Sequence, residues 1–403
     1  MLLRFRFANY RSFRAEQELS MVASTALADS TESLIRTPAI PDGVLPVATL
    51  YGANASGKSN VLRAFEFMVD AVQDSFRLWS PNAEIPHDPF ALGRDQPSRF
   101  EVDFLIEGVR YQYGFAANGT AIREEWLSAF PSGRRQEWFR RGAGRKIKFS
   151  RMLGGDNLRV EAMTRPNCLF LSAAAQANHP KLAQVCRWFW LPLVRTEPSR
   201  QVLEWRANAP HTAPMLSLLG AADLGIQRVS LMEGTDPTEL WFEHTGSGKR
   251  FSLGQRDESL GTLSYMSLVA DVSKALAERR ILLVDELDQS LHPALAKQLI
   301  AMFGSRESNP KGAQLIFNTH DTNLLSSGLR RDQIWFTEKN RTGESTLYPL
   351  TDFKPRKGEN IEKGYLQGRY GAIPFLNSQA FLSALEHRTN GDTGEKKKSA
   401  RKR

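Results

Sequence analysis

The chain has 403 residues, 41% hydrophobic and 24% charged, which describes a globular protein with core enough for a large α/β domain plus an added lobe. No run of 18 apolar residues occurs, which excludes a membrane-crossing helix, and the opening MLLRFRFANYRSF lacks the apolar block of a signal peptide. Two cysteines, Cys168 and Cys186, are too few for a disulfide framework or a zinc site and suit a reducing, cytoplasmic setting. The formal net charge of +9 raises the prospect of an acidic partner. Six of those charges belong to Lys396, Lys397, Lys398, Arg401, Lys402 and Arg403, a tail that reads as a solvated end, with nucleic acid as one candidate partner.

Leu3, Phe5 and Phe7 alternate with Arg4, Arg6 and Ala8, which predicts a half-buried strand within 3–13, and a second strand is expected near 18–22. Residues 24–46 are rich in Ser, Thr, Asp and Pro and read as a connector. The short apolar run Val47–Tyr51 reads as a buried strand. It is followed by Gly52-Ala53-Asn54-Ala55-Ser56-Gly57-Lys58-Ser59, which matches the phosphate-cradling pattern G-x-x-x-x-G-K-[ST]. Gly52 and Gly57 let successive N–H groups converge on phosphate oxygens, Lys58 reaches the β- and γ-phosphates, and the Ser59 hydroxyl suits Mg²⁺. Val61, Leu62, Phe65, Met68, Val69, Val72 and Phe76 then recur at helical spacing, so the loop opens a helix whose N-terminus favours anions.

Four prolines break up residues 79–98. From Phe100 the period is two: Phe100, Val102, Phe104 and Ile106, a turn at Glu107-Gly108, then Val109, Tyr111, Tyr113 and Phe115. Asn118-Gly119 and Ser132-Gly133 are further turn signals, so an antiparallel meander of about 70 residues is expected. Residues 168–232 read as mainly helical, with Trp188, Phe189 and Trp190 as core packing. A helix over 259–279 carries the stripe Leu260, Leu263, Met266, Val269, Val272 and Leu276. The apolar strand Ile281–Val284, a helix over 293–303, a strand Gln314–Asn318 and a strand-turn-strand around 340–343 complete the order.

An apolar strand ending in Asp285-Glu286 supplies what a phosphate loop lacks. Asp285 would hold Mg²⁺ through water opposite Ser59, and Glu286 would take a proton from, or orient, the water that attacks the γ-phosphate. The strand Gln314–Asn318 runs into Thr319-His320, and a His at the carboxyl end of a parallel strand faces the ligand crevice. Ser259 is a plausible N-cap with Gly261 in the first helical turn. That helix start reads equally as a plain cap or as a phosphate contact.

The assembled order resembles the ABC-type ATPase heads of the SMC-like and OLD-like branch. More narrowly it resembles stand-alone ABC-type ATPases of bacterial phage-defence and abortive-infection systems, the RloA-like proteins. The narrower likeness is carried by FANYRSF (7–13), GANASGKS (52–59), ESLGTL (258–263), LLVDELDQSLHP (282–293), FNTHDTNLL (317–325) and KGYLQGRYGAIPF (363–375). The resemblance implies an α/β P-loop ABC-type head, a mixed sheet with flanking helices and an antiparallel β subdomain, with a mostly helical insert. The expected division is an N-terminal ATPase half over 1–98, the meander over 99–165, the insert over 166–250, the C-terminal ATPase half over 251–376, and a helix with basic tail over 377–403.

By the same resemblance, ATP and Mg²⁺ are the cofactors. Gly52, Asn54, Ser56, Gly57, Lys58, Ser59 and Asn60 would hold the nucleotide, Ser59 and Asp285 the metal, and Glu286 and His320 would be catalytic. Ser259 and Gly261 match the signature motif that completes the site of the opposite subunit, which implies a homodimer around shared ATP. Such a switch would control a separate, nuclease-like effector encoded nearby, since the 27 residues after Leu376 are too few for a nuclease domain. Direct action on duplex DNA is the alternative. A transporter subunit is disfavoured, because the signature reads SLGT instead of a Gly-Gly form. Two departures from the family pattern stand out: the Gln-bearing loop has no clear counterpart, and His292 replaces an expected aspartate. The motif at 363–375 is expected to dock onto the domain or a partner through Tyr365, Tyr370 and Phe375.

Overall fold

The computed structural model describes residues 1–373, apart from 28, 143, 145, 196–217, 220–224, 232–239, 255 and 290. Residues Met1–Ala372 make one compact unit. No helix among the described residues is long and apolar enough to cross a membrane.

Period-two patterning produces the first sheet. Its seven antiparallel strands lie in the order Lys148–Phe149, Gln136–Arg141, Ile122–Phe130, Val109–Ala117, Ser98–Ile106, Leu2–Ala8 and Gln17–Ser20. Glu107 and Gly108 turn the first long hairpin with φ of 49° and 80°, the left-handed pair that matches strand twist. At the next turn the Asn118 side chain accepts the N–H groups of Thr120 and Ala121. The sheet spans the expected boundary at 98–99: Leu2–Ala8 pairs with Ser98–Ile106, placing Phe7 opposite Phe100. The expected connector over 24–46 contains a hairpin, Ile35–Thr37 against Ile40–Val44, which its Pro and Ser content concealed.

The second sheet has the order Pro192–Arg195, Ile281–Val284, Gln314–Asn318, Val47–Tyr51, Ile334–Lys339 and Ser345–Pro349, parallel except for the last strand. Both faces are covered. Ala48, Leu50, Ile281, Leu283 and Ile316 belong to a core shared with the helix Lys58–Asp74 and the antiparallel sheet. Val47, Leu282, Val284, Leu315 and Phe317 belong to a core shared with the helices Leu260–Glu278 and Pro293–Gly304. Two-sided burial is why these strands read as unbroken apolar runs. The first core is dense in rings: Phe65 meets Phe5 edge-on at 5.0 Å, and Phe67 lies 5.0 Å from Phe100.

The insert departs from expectation. Three short helices, Asn157–Met163, Phe170–Gln176 and Leu182–Trp188, are followed by a separate antiparallel sheet of Ile226–Leu231, Leu240–Gly246 and Lys249–Gly254. The missed signal is Ser247-Gly248, a turn with φ of 52° and 74° that joins the last two strands. The rest of 196–239 lies largely outside the described residues. Trp188 and Phe189 are core, as expected, whereas Trp190 is 49% exposed.

The motif at 363–375 docks onto its own domain. Tyr365, on the helix Ile361–Leu366, stacks on Phe336 at 5.5 Å, and Tyr370 stacks on the same ring at 5.9 Å. The Tyr370 hydroxyl donates to Glu359 at 2.7 Å, and its carbonyl accepts from the Tyr348 hydroxyl at 3.0 Å. Phe375 and the expected helix and tail over 377–403 lie outside the described residues. Because Tyr370 is fully buried, Tyr370→Ala is expected to destabilise the fold by about 3–5 kcal/mol, the range for truncating a buried ring. A urea midpoint unchanged from the parent chain would show that the ring is not part of the core.

Candidate functional site

The loop 52–57 is held from behind. A Cβ on Gly52 would sit 2.4 Å from the Thr337 carbonyl oxygen, so only glycine permits this approach of loop to strand. Gly57 has φ of 118°, and a Cβ there would meet Ser345, Phe13 and Ser12 at 2.9–3.1 Å. The Ser56 and Thr337 hydroxyls are 2.6 Å apart, so buried Ser56 faces the sheet. Asn60 donates from Nδ2 to the Ser12 hydroxyl at 2.9 Å, and the Ser12 carbonyl accepts from Ser345 N–H at 2.7 Å. The FANYRSF segment is therefore a buttress for the loop and the first turn of its helix.

In front of the loop lies a cleft of about 680 Å³ lined by Asn54, Ala55, Gly57, Lys58, Ser59, Asn60, Glu286, Asp288, Gln289, His320 and Lys339. Its volume suits a small-molecule ligand. The strand order brings these groups together: the carboxyl ends of Val47–Tyr51, Gln314–Asn318 and Ile281–Val284 are adjacent, on one side of the sheet. Lys58 donates from Nζ to the carbonyls of Gly52 at 2.8 Å and Ala53 at 3.1 Å. Burial pulls its pKa down to about 8, although the carboxylates of Glu286, Asp285 and Asp288 favour the charged form.

Ser59 donates its hydroxyl to Asp285 Oδ1 at 2.8 Å, joining residues 226 positions apart. A hydroxyl and a carboxylate side by side are hard oxygen donors that suit Mg²⁺. Asn318, fully buried at the end of the neighbouring strand, holds both acids: its Nδ2 donates to Asp285 Oδ1, and its Oδ1 accepts the Glu286 N–H at 2.7 Å. Glu286 occupies the left-handed region at φ 53°, which costs a side-chain-bearing residue about 1–3 kcal/mol. The Asn318 bond and the bond from Leu287 N–H to the Asn318 carbonyl at 3.0 Å hold that turn. The resulting geometry leaves the Glu286 carboxylate exposed at the cleft. Asp288 accepts the His320 N–H with both oxygens at 3.2 Å, fixing the loop that carries the imidazole.

Of the residues proposed from sequence, Asn54, Gly57, Lys58, Ser59, Asn60, Glu286 and His320 line the cleft, while Gly52, Ser56 and Asp285 sit directly behind it. Ser259 and Gly261 do not line it. Ser259 caps the helix Leu260–Glu278 by accepting the Thr262 N–H at 3.0 Å, and both residues are exposed. His292 caps the helix Pro293–Gly304 through Nδ1, which gives the residue in place of the expected aspartate a local structural role. A glutamine does line the cleft, but it is Gln289, four residues past Asp285. Asp288, Gln289, Asn318 and Lys339 were not singled out from sequence, and only the DELDQ spacing hinted at the first two.

A family model described as "AAA domain, putative AbiEii toxin, Type IV TA system" matches residues 47–150 and 191–326, more than half of the chain. The chain belongs to this family. It is accordingly of the P-loop AAA/ABC ATPase type, with the α/β fold that goes with it, in a family whose domains bind nucleotide, typically with Mg²⁺, and that is tied to a defence-like setting. The match resumes at 191, after the three short helices, and takes in the loop, both acids and His320. No curated protein is similar enough to the chain to count as a match.

In this ATPase, Asn318→Ala should leave the fold intact but free the Asp285 carboxylate and the Glu286 turn. The expected outcome is a rise of about 10–100-fold in half-saturating Mg²⁺, together with a lower kcat at saturating ATP. Titrating Mg²⁺ in a hydrolysis assay separates this from loss of folded protein, which lowers the rate at every Mg²⁺ concentration alike.

Proposed function

We propose that the chain is an ATP-hydrolysing ABC-type switch of the SMC-like and OLD-like branch, most like the RloA-like ATPases of phage-defence systems. It closes as a homodimer around ATP and controls a separate, nuclease-like effector. The observation that carries the catalytic part is the junction of Ser59, Asp285 and Asn318, beside an exposed Glu286 carboxylate at the cleft.

In this reading the loop N–H groups and the Lys58 ammonium bind the phosphates, and Ser59 with Asp285 would hold Mg²⁺, which supplies charge neutralisation across the β- and γ-phosphates. Glu286 accepts a proton from, or orients, the attacking water, and His320 faces the γ-phosphate end. Support for the dimer comes from Ser259 and Gly261: exposed at a 19-residue helix N-terminus and outside their own cleft, they are free to meet the phosphates of a second copy. ATP contacts made only in the closed pair bias a two-state equilibrium, and hydrolysis withdraws that bias.

The test pairs two variants. Lys58→Ala should abolish binding of a fluorescent ATP analogue, and Glu286→Gln should bind ATP while losing about 100-fold or more in hydrolysis. Glu286→Gln should also sediment as a dimer with ATP and Mg²⁺, and adding Ser259→Arg should return it to monomer without changing the affinity of a single chain for ADP. Wild-type hydrolysis by Glu286→Gln would overturn the catalytic assignment, and a monomer at saturating ATP would overturn the shared-site dimer.

A further inference from the structure

The net charge of the chain conceals a sharp local asymmetry. Residues 121–190 hold 13 Lys and Arg against 5 Asp and Glu, a net +8, and the last eight residues hold six more cations. Everything else therefore carries a net −5. The structure places six of the thirteen internal cations around the outer edge of the seven-stranded sheet. Lys148 on the outermost strand is the register partner of Arg140. The loop that follows is tied to the same strand by the bond from Ser150 N–H to the Trp138 carbonyl at 2.9 Å, and it carries Arg151. Lys146 precedes Ile147, whose N–H donates to Glu161 at 2.7 Å on the helix that also bears Arg159. Lys181 places its ammonium 5.4 Å from the centre of the Trp138 ring and donates to the Met152 carbonyl at 2.5 Å. All six cations are exposed, and none lines the nucleotide cleft.

The carboxylates of this segment leave that charge largely uncompensated. Glu125 is fully buried, accepting from Tyr113 and from the N–H groups of Phe170 and Leu171. Asp156 caps Arg159 N–H, Glu161 holds Ile147 N–H, and Glu124 faces Arg99 at 3.6 Å. Glu137 alone pairs with one of the six, Arg140, at 2.9 Å. Blunting of a sheet edge by cations would account for Arg140 and Lys148, but Arg151, Arg159 and Lys181 lie off the strands. Of the aromatic rings here, Trp138 and Phe139 are buried and Phe149 is half-buried against Phe170 at 5.3 Å, so among the described residues the edge offers no exposed ring for stacking unpaired bases.

We infer that this edge is a docking surface for the phosphodiester backbone of a nucleic acid duplex, bound by charge without base readout. This goes beyond the ATPase reading and does not rest on it. Six cations against phosphates give a slope of log K against log salt of about −5, and a loss of about 10³-fold in affinity between 50 and 200 mM salt.

The experiment is fluorescence anisotropy with the full chain and a labelled 30-base-pair duplex of random sequence, in DNA and RNA versions, beside a single strand of the same length. Duplex binding with that salt slope is expected, and the two duplex arms identify which nucleic acid is preferred. R140Q/K148Q/R151Q should flatten the slope by about 3, one unit per phosphate contact, while cleft binding of an ATP analogue is unchanged. Two variants control for total charge: R36Q/K249Q/R306Q removes three exposed cations elsewhere, and K396A/K397A/K398A removes three from the tail. Both should keep most of the affinity. Equal loss in the edge and surface-control variants, loss confined to the tail variant, preference for the single strand, or no wild-type binding at 50 mM salt would each overturn the assignment.

Discussion

Two-sided burial of the parallel sheet is the constraint on which the rest depends. Every residue of Val47–Tyr51, Ile281–Val284 and Gln314–Asn318 is buried. Charged groups cannot be placed within such strands without a large desolvation cost, so they collect where the strands end. Because the three strands run parallel and adjacent, those ends share one side of the sheet, and the phosphate loop, Asp285-Glu286 and Thr319-His320 converge there. The bond from Ser59 to Asp285 is the local outcome, and Asn318 is the joint that makes it exact in position, serving both acids from the strand between the loop and the acids.

How far this was legible depends on whether a residue's role is local in sequence. The loop, its flanking strand and helix, and the acid pair all announce themselves within a dozen residues, through glycine placement and a change of hydrophobic period. The meander was equally plain, because Glu107-Gly108 and Ser132-Gly133 are left-handed turn pairs and the turn between them is marked by the Asn118 side chain. Asn318 was not legible as a clamp, since its partners lie 32 and 33 positions earlier and only the strand register brings them within reach. The sheet over 226–254 was obscured by mixed composition: its alternation is interrupted by charge, and the decisive Ser247-Gly248 turn is a single dipeptide. Whole-chain charge misled in another way, because an average dilutes a patch that folding concentrates.

The strand Ile334–Lys339 shows how the C-terminal motif and the nucleotide site belong to one structure. Phe336 stacks with Tyr365 and Tyr370, the next residue but two, Lys339, reaches the cleft, and Thr337 between them holds Ser56 of the loop. Tyr51, immediately before Gly52, packs 5.9 Å from Tyr365 and donates its hydroxyl to the Asp321 carbonyl beside His320 at 3.2 Å. Glu362, on the helix that carries Tyr365, accepts from Ser326 at 2.8 Å in the turn that follows His320. The aromatic cap therefore touches the loop from one side and the His320 segment from the other. Close-packed interiors shift between discrete arrangements more readily than they deform smoothly, so the loop, the His320 segment and the ring stack around Phe336 are mechanically linked. That gives residues 363–373 a physical reason to accompany this nucleotide site although none of them lines the cleft.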